Sequence, residues 1–310
     1  MFPMVRPSFV GQLVCMVAMI VANQTEMVQG GILDFLYRAM QTHACSAMYV
    51  GAARAAANLV YMNALTAHRL LKTDLPQLFS MGLHTFFKDA AVVSAIAAVV
   101  FQLHVATLAK AQQSYLAWGC MDRVKTCLSV HVADVNTLYQ LLRTLEIALR
   151  DNEAAKDAFC AKEVPFLVVT TFEEVVAAAA RGSTVPHETR GPSNVAFLAF
   201  VIAVIFGHVA IMSKVSTPTG GTVVHPARVQ VLVKASAHTF AVSALTQFPT
   251  VPPVLEQCIR LVEVLALPGM YKPILIRAGA LRCIKYIAST KTCHGGLQVL
   301  CRRSLAAFEA

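Results

Sequence analysis

The chain of 310 residues is 56% hydrophobic and only 14% charged, which excludes a disordered chain and demands either an unusually large core or apolar surface covered by partners. Its net charge of +9 is uneven: residues 215–310 hold ten Lys/Arg against three Glu, a net +7, leaving +2 for the rest. That C-terminal excess points to an acidic partner.

An apolar run at 10–22 follows Arg6, the arrangement that opens a secretory signal. Thirteen residues are short of the roughly 20 that span a bilayer. The run also stands before NQTEMVQGG as 135–149 stands before RDNEAAKDAFCAKE, so it is expected to be the third helix of a partial N-terminal repeat. Further along, apolar residues recur at three- and four-residue spacing in segments of helical length. VNTLYQLLRTLEIAL (135–149) and VPPVLEQCIRLVEVLAL (251–267) are the clearest, the second with two prolines where a helix begins. Strand signals are scarce and no Asn-Gly hairpin occurs. The class is all-α.

Two breaker-rich stretches, RGSTVPHETRGPSN (181–194) and VSTPTGGTVVHP (215–226), predict surface loops. Between them lies NVAFLAFVIAVIFGHVAIM (194–212), uncharged and nearly long enough to cross a bilayer. A buried third helix, apolar all round, is the expected reading; a membrane-associated subunit spanning at 194–212 is the alternative.

The segments 13–40, 53–86, 141–172 and 258–289 share one grammar: a long apolar helix, a polar break, a short helix, a sharp turn and a second apolar helix. Turns are expected at Gly30-Gly31, Asp74, Cys120, Glu163 and Gly279. Second helices would then start at Ile32, Leu75, Met121, Val164, Ala227 and Ala280, at spacings of 43, 46, 43, 63 and 53. Three spacings match the period of about 40–47 residues typical of helical repeats. The two excesses fall in the breaker-rich stretches.

In ILIRAGALRCIKYI (274–287) the chain resembles the armadillo repeat family, whose short first helix ends at an Ala-Gly turn. The resemblance implies a right-handed superhelical solenoid of about six irregular three-helix repeats over 1–310, with HEAT-like geometry a close alternative. It also implies a groove lined by third helices, in which Asn58 matches the peptide-clamping Asn. The other third helices place Phe101-Gln102, Ile147, Phe206 and Val264 there, and the sole tryptophan, Trp118, lies on another helix. A generic peptide clamp is therefore not expected.

No catalytic signature occurs: no phosphate loop, dinucleotide fingerprint, nucleophile elbow or HExxH. Gly220-Gly221 lacks the lysine a phosphate loop needs. The ten histidines show no pair at zinc spacing. Cys120 and Cys127 read as buried thiols, although Cys293, His294 and Cys301 could meet in space. Glu173 and Glu174 are adjacent and diverge on a helix. Nine cysteines without a CxxC pair point to a reducing compartment, where the sequon at Asn23 carries no weight. No cofactor, metal or catalytic residue is assigned.

What remains is surface. Arg277, Arg282, Lys285, Lys291, Arg302 and Arg303 fall within 27 residues free of acids. They suggest either a solvated end or docking to an acidic protein surface such as tubulin. Nucleic acid is disfavoured, since only Tyr286 and Phe308 could stack. The expectation is a non-enzymatic cytoplasmic scaffold embedded in a large assembly. By family analogy that assembly is the microtubule cytoskeleton of cilia or flagella.

Overall fold

A computed structural model describes residues 21–181, 192–212, 223–290, 293 and 295–309. The run at 10–22 therefore lies almost wholly outside the described residues, as do Gly220-Gly221, Lys291 and His294. Seventeen helices account for most of the described residues. Extended pairing among them is limited to the single bridge between Ile211 and Val224. The all-α class stands.

The helices follow one another in triplets. The first holds α1 (Val21–Gln29), α2 (Ile32–Thr42) and α3 (Ser46–Val60). The second holds α4 (Ala64–Leu70), α5 (Leu75–Thr85) and the start of α6 (Ala90–Ala117). Helix α6 is broken by non-helical backbone at Thr107 and Leu108, so its last part opens the third triplet, followed by α7 (Cys120–Val130) and α8 (Val135–Leu149). The fourth runs through α9 (Glu153–Ala161), α10 (Val164–Ala180) and α11 (Pro192–Ala210). The fifth is α12 (Pro226–Lys234), α13 (Ala237–Gln247) and α14 (Pro252–Ala266). The last is α15 (Lys272–Ala278), α16 (Ala280–Ser289) and α17 (Gly296–Glu309).

Local chemistry explains the boundaries. In five of the six triplets a left-handed residue separates first from second helix: Gly31, Gly119, Glu163, Ser236 and Gly279, with φ between 57° and 96°. Such a residue ends one helix and lets the next leave at a steep angle. Asp74 does the same work in the second triplet with negative φ. Four of the six third helices begin at a polar cap or a proline. Asp89 accepts from the N–H groups of Ala91 and Val92, and Asp134 from those of Asn136 and Thr137. Pro252 opens α14 where its missing N–H costs nothing.

Two second-helix starts differ from expectation. The third triplet turns at Gly119, so α7 starts at Cys120, one residue before Met121; glycine tolerates positive φ and the cysteine is buried. Ala227 lies inside α12, a first helix opened by Pro226, and the second helix begins at Ala237 after Ser236. The starts are thus separated by 43, 45, 44, 73 and 43 residues. Four spacings are regular, and the whole excess falls in the fourth triplet. Both breaker-rich stretches flank α11 and lie mostly outside the described residues, and the helix that Pro226 opens is a first helix rather than a second.

The chain divides into two compact units, residues 1–148 and 149–310. In the first, α3 packs along α6, and α5 sits against α3, α6 and α7. Gly82 of α5 marks the tightest approach: a Cβ there would stand 2.5 Å from the Tyr49 ring and 2.9 Å from Ile96 Cδ1. Elements about one period apart are pinned by polar bonds. Thr144 Oγ1 donates to the Ala97 carbonyl at 3.0 Å, and His131 Nε2 bonds the Phe87 carbonyl at 2.7 Å. In the second unit α14 lies between α11 and α17. Phe240 meets Phe172 and Phe206 edge-on, with ring centroids 4.9 and 5.7 Å away.

Helix α11 is enclosed by α10, α12, α13 and α14. Ile205 and Phe206 are fully buried, and Phe197 is its one exposed described residue. Among the described residues one helix, α6, is long and apolar enough to cross a membrane, but its break at Thr107 and Leu108 divides it into two shorter segments.

Candidate functional site

The basic residues sit on the last triplet. Its second helix, α16, buries Ala280, Ile284 and Ile287 and turns Arg282, Lys285, Tyr286 and Ser289 outward. These four recur at three- and four-residue steps, so they form one stripe. Tyr286 is 64% exposed within it. Arg277 stands exposed in the last turn of α15, where its charge complements the helix dipole. Arg302 and Arg303 are exposed on α17.

The acid-free reading of these residues holds along the chain but fails in space at one point. Arg303 meets Glu263 of α14 through two parallel contacts, Nε to Oε1 and Nη2 to Oε2, each 2.7 Å. Glu263 is 15% exposed, and this fork ties α17 to α14. Arg303 is therefore a structural partner first. Arg277, Arg282, Lys285 and Arg302 form no ion pair among the described residues. They constitute the open part of the surface, while Lys291 lies outside the described residues.

Asn58 lies in the last turn of α3, half-buried, with its carbonyl accepting from Gln24 Nε2 at 2.8 Å. Among the other groove positions Ile147, Phe206 and Val264 are buried. Phe101 differs: the Arg143 guanidinium stacks 3.9 Å from its ring centroid and 5.2 Å from that of Tyr139. This aromatic–Arg stack joins α6 and α8 and was invisible in sequence, because its members are 42 residues apart.

A second pattern escaped the sequence reading. The fourth residue of each first helix is Gln24, Ala67, Gln112, Lys156, Val229 or Leu275, and all six are buried. Three are polar, and each of these reaches the C-terminal end of the third helix in its own triplet. Gln24 donates to the Asn58 carbonyl, Gln112 to Ile147 at 3.0 Å, and Lys156 to Ile211 at 2.8 Å. Terminal helix carbonyls lack intrahelical partners, so a buried donor there meets a real demand. Around Lys156 the arrangement becomes ionic. Its Nζ is 2.8 Å from Glu153, and the buried Arg228 guanidinium bonds both Glu153 and Asp157.

Concave sites offer little chemistry. In the second unit an apolar groove of about 710 Å³ is lined by Phe197, Phe200, Phe248, Val251 and Val254, with no titratable side chain on its walls. In the first unit a water-sized cavity of about 10 Å³ touches His104 and Tyr115. His104 donates from Nδ1 to the Val100 carbonyl at 2.7 Å, while its Nε2 and the Tyr115 hydroxyl find no partner among the described residues. Burial pushes the His104 imidazole down to about 4, against the opposing effect of that hydrogen bond. Burial likewise raises the thiols of Cys120, Cys127 and Cys258, to about 11, 12 and 12. These thiols stay protonated and unreactive at neutral pH. No cluster of three His, Cys, Asp or Glu close enough to hold a metal occurs among the described residues. Glu173 and Glu174 are both exposed on α10.

No family model matches the chain, and no curated protein matches it. Similar architectures do exist among solved structures. Two engineered proteins from the Northeast Structural Genomics Consortium superpose with a TM-score of 0.67 each. One is 15% identical over 89% of this chain and 98% of its own, the other 13% identical over 90% and 97%. At such identity the likeness is one of fold alone: the chain shares its helical architecture, over most of its length, with these engineered proteins.

Proposed function

We propose that the chain is a non-enzymatic adaptor, built as a right-handed solenoid of armadillo-like three-helix repeats and held in a large assembly by an acidic protein partner. The architectural half of this reading is supported by six helix triplets with a left-handed turn in five of them. In a solenoid each repeat buries its apolar face against its neighbours, which accounts for the high apolar content. The functional half is carried by one observation: Arg282 and Lys285 form an exposed stripe with Tyr286 on α16, and no acid among the described residues pairs with them. The acidic lattice of a microtubule is a partner of this chemistry.

Sequential extraction from the native cells tests this. Mild detergent is applied first and high salt second, with the protein measured in each fraction. The expected result is retention through detergent and release by salt, because salt screens exposed charge pairs. The Arg282→Glu/Lys285→Glu double variant should leave already in the first wash. Complete release of the unaltered protein by mild detergent, together with membrane proteins, overturns the adaptor reading and favours a membrane-associated subunit.

A further inference from the structure

We propose that Cys293 and Cys301 are an oxidisable pair that closes into a disulfide. Their sulfurs stand 3.8 Å apart, while the other described cysteines sit beside different groups. Cys120 faces Ser80, Cys127 faces the Leu83 carbonyl, and Cys283 faces Thr246. Cys293 lies on non-helical backbone between α16 and α17, and Cys301 lies in the second turn of α17. A disulfide needs its sulfurs about 2.05 Å apart. The remaining movement is less than the length of one side chain.

The step balances with a peroxide as oxidant. The Cys293 thiolate attacks one peroxide oxygen, the O–O bond breaks, and hydroxide leaves, giving a sulfenic acid on Cys293. The Cys301 sulfur then attacks that sulfur and the S–O bond breaks. The departing oxygen leaves as water with the Cys301 proton, and an S–S bond forms. Two thiols lose two electrons and the peroxide gains them. Burial pushes the Cys301 thiol up to about 12. Cys301 is fully buried and Cys293 is 7% exposed, which fits Cys293 as the residue met by a small oxidant. The product would fasten the segment before α17 onto that helix, next to Arg302.

The sequence makes the test direct, because trypsin cutting at Lys291 and Arg302 releases both cysteines in the single peptide TCHGGLQVLCR. The folded, full-length protein is treated with hydrogen peroxide, denatured, alkylated and digested. The expected peptide is unalkylated and lighter by two hydrogen atoms, and it gains two alkyl groups once reduced. Cys258, a free and buried cysteine with no sulfur partner among the described residues, should remain a thiol in the same sample. A doubly alkylated peptide after peroxide treatment overturns the proposal. So does sulfinic acid on Cys293 beside an alkylated Cys301, or a cross-link from either to another peptide. A Cys301→Ser variant adds a second reading, since Cys293 should then be trapped as a sulfenic acid by dimedone.

Discussion

Gln112 of the first unit and Lys156 of the second occupy the same place in successive triplets, yet they solve the same problem with different chemistry. Each is the fourth residue of a first helix, is buried, and caps the end of its own third helix. Gln112 does so with a neutral amide. Its third helix, α8, ends at Leu149 and the next begins at Glu153, so the exposed demand is small. Lys156 serves α11, after which the chain departs at Ile211 and returns at Val224. There a charge is used, and it brings Glu153, Asp157 and Arg228 with it. The comparison teaches that the interrupted repeat closes with an ionic network where the continuous one uses a neutral amide.

Breaking the network should have the largest effect. Lys156→Ala leaves the Ile211 carbonyl without its donor and the buried Arg228 with a changed partner set, and should cost about 3–4 kcal/mol in urea unfolding. Lys156→Gln sharpens the point: if capping is the main role, it recovers most of that loss, and if the ion pair is, it recovers little. The neutral counterpart, Gln112→Ala, should cost about 1–2 kcal/mol. Equal losses for Lys156→Ala and Gln112→Ala would undo the distinction between the two units.

Acid should expose a weakness in the first unit of similar size to the Lys156 effect. The His104 imidazole titrates at about 4 when folded, against about 6.5 when unfolded. In that window the unfolded chain binds more protons, so its stability contribution is complete above about 6.5 and is lost as pH falls toward 4. The loss is on the order of 3 kcal/mol by linkage. Chemical denaturation between pH 7 and 4 measures it, and His104→Leu should flatten the curve over that range.

Packing and turn substitutions come next. Gly82→Ala pushes a methyl into the Tyr49 ring and should cost about 2 kcal/mol. The turn positions allow a paired test between units. Glu163→Gly in the second unit relieves a side chain held at φ 57° and should stabilise by about 0.5–1 kcal/mol. Gly119→Ala in the first unit, at φ 66°, should destabilise by a similar amount. A thermal-melt comparison of the two variants reads both signs at once.

Periodicity made the helices legible, because buried faces repeat every three to four residues wherever a helix packs. The turns at Gly31, Glu163 and Gly279 were legible too, each standing between two apolar patterns. Ser236 was not, since serine carries no signal for positive φ. The displaced start at Ala227 has the same origin: Pro226 signals a helix beginning, but not which helix of a triplet.

By itself, then, the amino-acid sequence determined the class, the recurring helix grammar and the basic bias of the last triplet. Those are properties of neighbours along the chain. Tertiary structure alone decided that Glu263 engages Arg303, that Arg143 stacks on Phe101, and that Lys156 closes the end of α11. It also brought Cys293 within 3.8 Å of Cys301. Each depends on a distance between side chains that chain order does not encode, fixed only when apolar faces pack and leave polar atoms to find partners inside.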